Sequence, residues 1–149
     1  MVGRWRRNLN KRRLLWYLRP TPREESSRAV TQPTPRQRTG ARAEQQALEY
    51  LEGAGLCLVE RNFRCRYGEI DLIMFDTETV VFVEVRFRRN SLFGGPAASV
   101  DQRKRQRLIT TAEHFLQRHA ALRRRPARFD IVAVTEPNAI EWIPNAFGT

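Results

Sequence analysis

Gly68-Glu69-Ile70-Asp71-Leu72-Ile73-Met74-Phe75, followed closely by Val80-Val81-Phe82-Val83-Glu84-Val85-Arg86, decides the fold of this chain. The apolar residues of both stretches include many β-branched ones, which read as buried strands. Asp76-Thr77-Glu78-Thr79 between them is polar enough to turn. A carboxylate inside such a strand loses water and needs a cation, a proton or strong donors. Strand side chains alternate, so Glu69 shares a face with Asp71, and Glu84 shares one with Arg86. If the two strands form a hairpin, the acids converge on one site, which is the geometry a hard divalent metal ion takes.

Outward from this pair, Ala43, Ala47, Leu48 and Leu51 recur at helical spacing and predict a helix over 40–53, stopped by Gly53 and Gly55. Strands are expected over 56–63, 69–75, 80–88 and 129–134, with a short edge at 140–143 and a turn near Arg66-Tyr67-Gly68. Gly94-Gly95-Pro96 breaks the pattern. Ser99 with Gln102 reads as a capping box for a second helix, whose stripe of Leu108, Ala112, Phe115, Leu116 and His119 runs to about residue 120. The order α-β-β-β-α-β predicts an α/β fold in which helices flank a central mixed sheet. No internal repeat is visible.

The 149 residues suit one domain with a real core. Net charge is +11, from 27 Lys and Arg against 16 Asp and Glu, which favours phosphate polymers or anionic membrane surfaces as partners. The charge is unevenly spread: residues 1–39 hold eleven basic side chains against Glu24 and Glu25, a net +9, leaving +2 for the rest. With Pro20, Pro22, Pro33 and Pro35 among the arginines, 1–39 is expected to be a disordered basic arm. Trp5, Leu9, Leu14, Leu15, Trp16, Tyr17 and Leu18 leave it able to form an amphipathic helix on nucleic acid or an anionic membrane. An unstructured tail, an over-extended reading frame and a transit peptide are the other readings of 1–39. Residues 40–149 are the folded domain. Cys57 and Cys65 flank a predicted turn; a disulfide fits there geometrically, but two thiols of a cytoplasmic protein explain them more simply. Finger-like zinc spacing is absent, and no apolar run approaches the roughly 20 residues that span a bilayer.

Asp71 and Glu84 on neighbouring strands, with Glu44 on the helix above, supply three carboxylates from three elements. Such a set suits one or two Mg²⁺ or Mn²⁺ ions with positions left for water and a phosphate. Against this stands a plain structural account: Glu44 in solvent, Asp71 paired with an arginine, and Glu84 paired with Arg86 or Arg88. The residues alone leave both open.

Gly40, Glu44, Ala47, Leu51, Gly55, Arg61-Asn62, Gly68 to Ile73, Phe82-Val83-Glu84-Val85-Arg86, Phe93-Gly94, Lys104, Leu108 and Arg128-Phe129-Asp130 together resemble the YraN-like family of uncharacterised bacterial proteins. That family is regarded as a predicted nuclease group, similar to archaeal Holliday junction resolvases, with the restriction-endonuclease-like PD-(D/E)xK fold. The resemblance spans about residues 40–149. It implies Asp71 as the first acid, Glu84 as the second, Glu44 as the helix acid, and Arg86 where the motif prefers lysine. Arginine stays protonated and cannot serve as a general base, although its fork can stabilise charge in a transition state. Arg88 and Lys104 are the candidates for the missing amine, while Lys104 also reads as a phosphate contact or a solvated helix charge.

Arg88, Arg103, Lys104 and Arg107 are expected to contact nucleic-acid phosphates, and Arg123-Arg124-Arg125 supply a further run. Asp130 reads as a salt-bridge residue at a strand edge. The leading expectation is a Mg²⁺-dependent endonuclease on DNA, including branched or repair intermediates. A non-catalytic nucleic-acid-binding module and a membrane-surface adaptor are the rivals. Junction-resolving relatives act as dimers, which leaves a homodimer open.

Overall fold

A computed structural model describes residues 32–89 and 100–148. Helix α1 spans Pro35–Gly53, strands β1, β2 and β3 span Cys57–Cys65, Gly68–Asp76 and Thr79–Arg88, helix α2 spans Gln102–Arg118, and β4 and β5 span Ala127–Thr135 and Ala139–Phe147. The strands lie in sheet order β1-β2-β3-β4-β5. All neighbours are antiparallel except β3 and β4, whose parallel pairing is made possible by the α2 crossover. This is the expected α/β fold, a mixed sheet between helices with a restriction-endonuclease-like core.

Period-two alternation divides the core. Val81, Val83, Leu72, Met74, Val132 and Val134 pack under α1 through Ala43, Ala47, Leu48 and Leu51. Val80, Phe82, Ile73, Phe129 and Ile131 pack under α2 through Leu108, Ala112 and Phe115. Central strands covered on both faces are near-continuously apolar, which is why the two opening stretches read so clearly.

Helix α1 starts five residues before its expected beginning. Thr34 accepts from the Gln37 N–H while Gln37 Oε1 accepts from the Thr34 N–H, and Pro35 occupies the first turn. Residues 35–39 thus belong to the helix rather than to the basic arm, whose residues 1–31 lie outside the described residues. Gly55, at φ +102°, takes a conformation that disfavours any side chain and so turns the chain into β1. Ser99 and the Gly94-Gly95-Pro96 loop also fall outside the described residues. The observed cap of α2 is Asp101, whose Oδ1 accepts from the Lys104 N–H at 2.7 Å. Cys57 and Cys65 do not flank a turn. They occupy the two ends of β1 with no disulfide between them, roughly 26 Å apart at strand rise, too far for a bridge.

Gly68 opens β2 against α2. A Cβ there would meet Thr111 Oγ1 at 2.9 Å, and that hydroxyl is fixed by donating to the Arg107 carbonyl at 2.7 Å. Gly68→Ala is therefore expected to destabilise the domain by about 1–3 kcal/mol through overpacking, measured by urea denaturation.

Asp130 is a structural hub, in line with its reading as a salt-bridge residue. It is 1 % exposed. Its oxygens accept from Arg128 Nε at 3.0 Å, Trp142 Nε1 at 2.9 Å and the Asn145 N–H at 2.9 Å. Arg128 also reaches Asp76 at 2.9 Å. The β4–β5 register shifts between Phe129 and Ile131, and Asn145 has φ 51° there, so Asp130 pins the bulge.

Candidate active site

The β2–β3 ladder runs from Asp76↔Thr79 to Leu72↔Val83 and stops. One more step would place Asp71 directly opposite Glu84 on one face, an unfavourable arrangement for two carboxylates. Instead the strands part, while β2 stays paired with β1 to its end. Asp71 Oδ2 accepts from the Val85 N–H at 2.7 Å, taking the place of a ladder carbonyl. The two acids thus stand at a fork in the sheet, on the side covered by α2.

Glu84 is 5 % exposed. Its Oε1 is 2.9 Å from Lys104 Nζ and 3.7 Å from Arg86 Nη1. Its Oε2 is buried and has no hydrogen-bond partner among the described residues. The Asp71 carboxyl is pushed up to about 7, chiefly by burial and next by the negative charge of Glu84; the Val85 N–H opposes the rise, Glu44 adds to it, and Lys104 opposes it. Burial and Glu84 thus favour the protonated form of Asp71 well above the usual carboxylate range.

Of the expected site residues, Asp71, Glu84 and Arg86 come together. Lys104, expected either as the missing amine or at a phosphate, is found against Glu84, because the Asp101 cap fixes the first turn of α2 over the fork. Glu44 is half-buried on α1 and acts on Asp71 through its charge. Among the described residues no three His, Cys, Asp or Glu side chains gather as a metal-holding set. Arg103 and Arg107 are exposed on α2, and Arg88 is half-buried at the end of β3. The fork and the Asp101 cap were missed in the sequence. Asp three residues before Lys104 was a visible cap signal, obscured by the competing Ser99 and Gln102 pair.

Residues 43–134 match the model of the Uncharacterised protein family UPF0102. The chain belongs to UPF0102. This is the YraN-like group that the motifs resemble. A UPF0102 protein of Alcanivorax borkumensis is 53% identical over 114 residues, covering 73% of this chain and 90% of its own. One of Stutzerimonas stutzeri is 52% identical over 114 residues, covering 74% and 95%. One of Pseudomonas putida is 49% identical over 123 residues, covering 80% and 98%. The UPF0102 match takes in α1 from Ala43, the fork and Lys104. No helix among the described residues is long and apolar enough to cross a membrane.

Proposed function

We propose that this UPF0102 protein is a metal-dependent endonuclease that hydrolyses phosphodiester bonds in DNA, with branched or recombination and repair intermediates as its substrate class. The observation that carries the reading is Glu84 Oε2, a buried carboxylate oxygen without a hydrogen-bond partner among the described residues, beside the second buried carboxylate, Asp71. An oxygen so placed is costly unless something else completes it. Mg²⁺ or Mn²⁺ fits this donor set without a third acid, since Mg²⁺ takes one or two carboxylates and fills its remaining positions with water and substrate phosphate oxygens. Bound between Asp71 and Glu84, the cation would lower the pKa of a water and offset charge building on the phosphate.

The protein groups do the positioning. Asp71, held by the Val85 N–H, would bind a cation as the carboxylate, with its proton passed to solvent. Lys104 brings to Glu84 the amine that the motif prefers at position 86, now from α2 instead of β3. Its ammonium orients water and donates to the phosphate, and Arg86 adds a fixed cationic fork to the charged transition state. Glu44 supports the site through its charge. Lys104→Met is expected to slow cleavage of a branched DNA substrate about 10²–10³-fold while metal binding persists. Full-rate cleavage by that variant would remove Lys104 from the reaction.

A second reading, a non-catalytic nucleic-acid-binding module, is favoured by Arg86 standing where the motif prefers lysine. Incubating the full chain with branched, duplex and single-stranded DNA in Mg²⁺, Mn²⁺ or chelator separates the two. Cleavage that needs metal and both acids supports the endonuclease. Tight binding with intact DNA under every condition supports the module.

A further inference from the structure

We infer that an unpaired nucleic-acid strand binds along one flank of α2, held by Arg103, Arg107 and Arg118 and stacked at the aromatic pair Tyr67 and His114. The inference rests on the reading that the fork acts on nucleic acid, and it names the form of that substrate.

At 100° per residue, Arg103, Arg107, His114 and Arg118 fall within about 60° of one another on α2, in a row beside the buried stripe. The row is about 22 Å long at helical rise and ends beside Lys104, which points to Glu84. Arg103, Arg107 and Arg118 are exposed, and no carboxylate pairs with them among the described residues. The acids nearby leave the row positive: Glu69 is taken by Arg64 at 2.8 Å, and Glu113 projects from another side of α2.

The tip of the β1–β2 hairpin meets this row in its middle. Gly68 lies against Arg107 and Thr111. Tyr67 packs edge-to-face on His114 with ring centres 5.6 Å apart, and the Arg66 guanidinium lies 4.7 Å from the Tyr67 ring centre. Tyr67 and His114 are both half-buried, so part of each residue remains in solvent, and His114 lies between Arg107 and Arg118 along α2. Basic side chains with an interleaved aromatic pair suit a strand whose bases are free to stack, because a paired duplex keeps its base faces covered. The phosphates follow the arginines, and the strand leads to the fork.

Binding is tested with the full-length chain in chelator, so that cleavage plays no part, by fluorescence anisotropy with a 15-nucleotide oligothymidine and a 15-base-pair duplex. Arg107→Ser/Arg118→Ser should weaken oligothymidine binding at least tenfold and reduce the salt slope by about 1.4, the loss of two phosphate contacts. Tyr67→Leu should weaken oligothymidine binding about fivefold or more and change duplex binding less than twofold, while Tyr67→Phe, which keeps the ring, binds like the wild type. Equal losses for both nucleic acids, or unchanged oligothymidine binding in the arginine variant, would overturn the inference and leave the endonuclease reading standing. A wild-type chain that binds neither nucleic acid, or that uses these arginines only on anionic vesicles, would overturn both.

Discussion

Asp130→Ala is expected to lower the unfolding free energy of the domain by about 3–5 kcal/mol, the cost of breaking a buried ion pair by removing one partner. Three donors lose their acceptor at once: Arg128 Nε, Trp142 Nε1 and the Asn145 N–H. The loss falls where β5 bulges away from β4, so the C-terminal strand should separate first. Against a typical stability of about 5–15 kcal/mol, such a change leaves a domain that unfolds at modest temperature. Asp130→Asn retains an acceptor oxygen and should cost less. Urea denaturation followed by circular dichroism measures both. If Asp130→Ala were within 1 kcal/mol of the wild type, the hub would have no structural role.

Asp71→Asn is expected to have the opposite effect on stability. The ordinary carboxyl value is about 3.8 and the folded value about 7, so between them the folded chain keeps a proton that the unfolded chain has lost. Asp71 therefore favours folding most fully below its unfolded value, and that contribution disappears as pH rises through about 7. Asparagine has no charge to bury and can still accept from the Val85 N–H. At pH 8 the variant should be more stable than the wild type by up to about 4 kcal/mol, and the gain should shrink steadily towards pH 4. Denaturation curves at pH 5, 6.5 and 8 provide the check. A constant difference across that range would mean that Asp71 is not held protonated by burial and by Glu84. Gain of stability with loss of cleavage in one variant is the pattern expected where a site is held in an unfavourable electrostatic state for function.

The central strands were legible because both of their faces are covered, which makes 69–75 and 80–88 almost uninterrupted apolar runs and leaves Asp71, Glu84 and Arg86 conspicuous. The buried stripe of α1 was equally plain at Ala43, Ala47, Leu48 and Leu51. Its start was not, because Thr34-Pro35 lies within an Arg- and Pro-rich stretch whose composition suggests disorder, and a local capping box outweighs composition there. Lys104 was legible as a candidate for the missing amine, but its pairing with Glu84 was not. That pairing depends on which residue caps α2 and on how the crossover sets the helix above β3, and both are tertiary facts. Glu44 was legible as a residue on the helix that packs over the sheet, and its charge does reach Asp71, but how the two helices set it relative to the fork is a tertiary fact that spacing does not give. Asp130 was recognised as a salt-bridge residue, whereas its hold on β5 depends on Trp142 and Asn145, which only the β4–β5 register brings near.

The proposed endonuclease depends on a metal site formed by Asp71 and Glu84. Isothermal calorimetry of the full chain with Mg²⁺ and Mn²⁺, with and without branched DNA, comparing the wild type with Asp71→Asn/Glu84→Gln, tests it most directly. A saturable site is expected in the wild type, with proton release below pH 7 as Asp71 ionises, and no such site in the folded double variant. Equal binding by both chains, or none by the wild type even with DNA present, would contradict it.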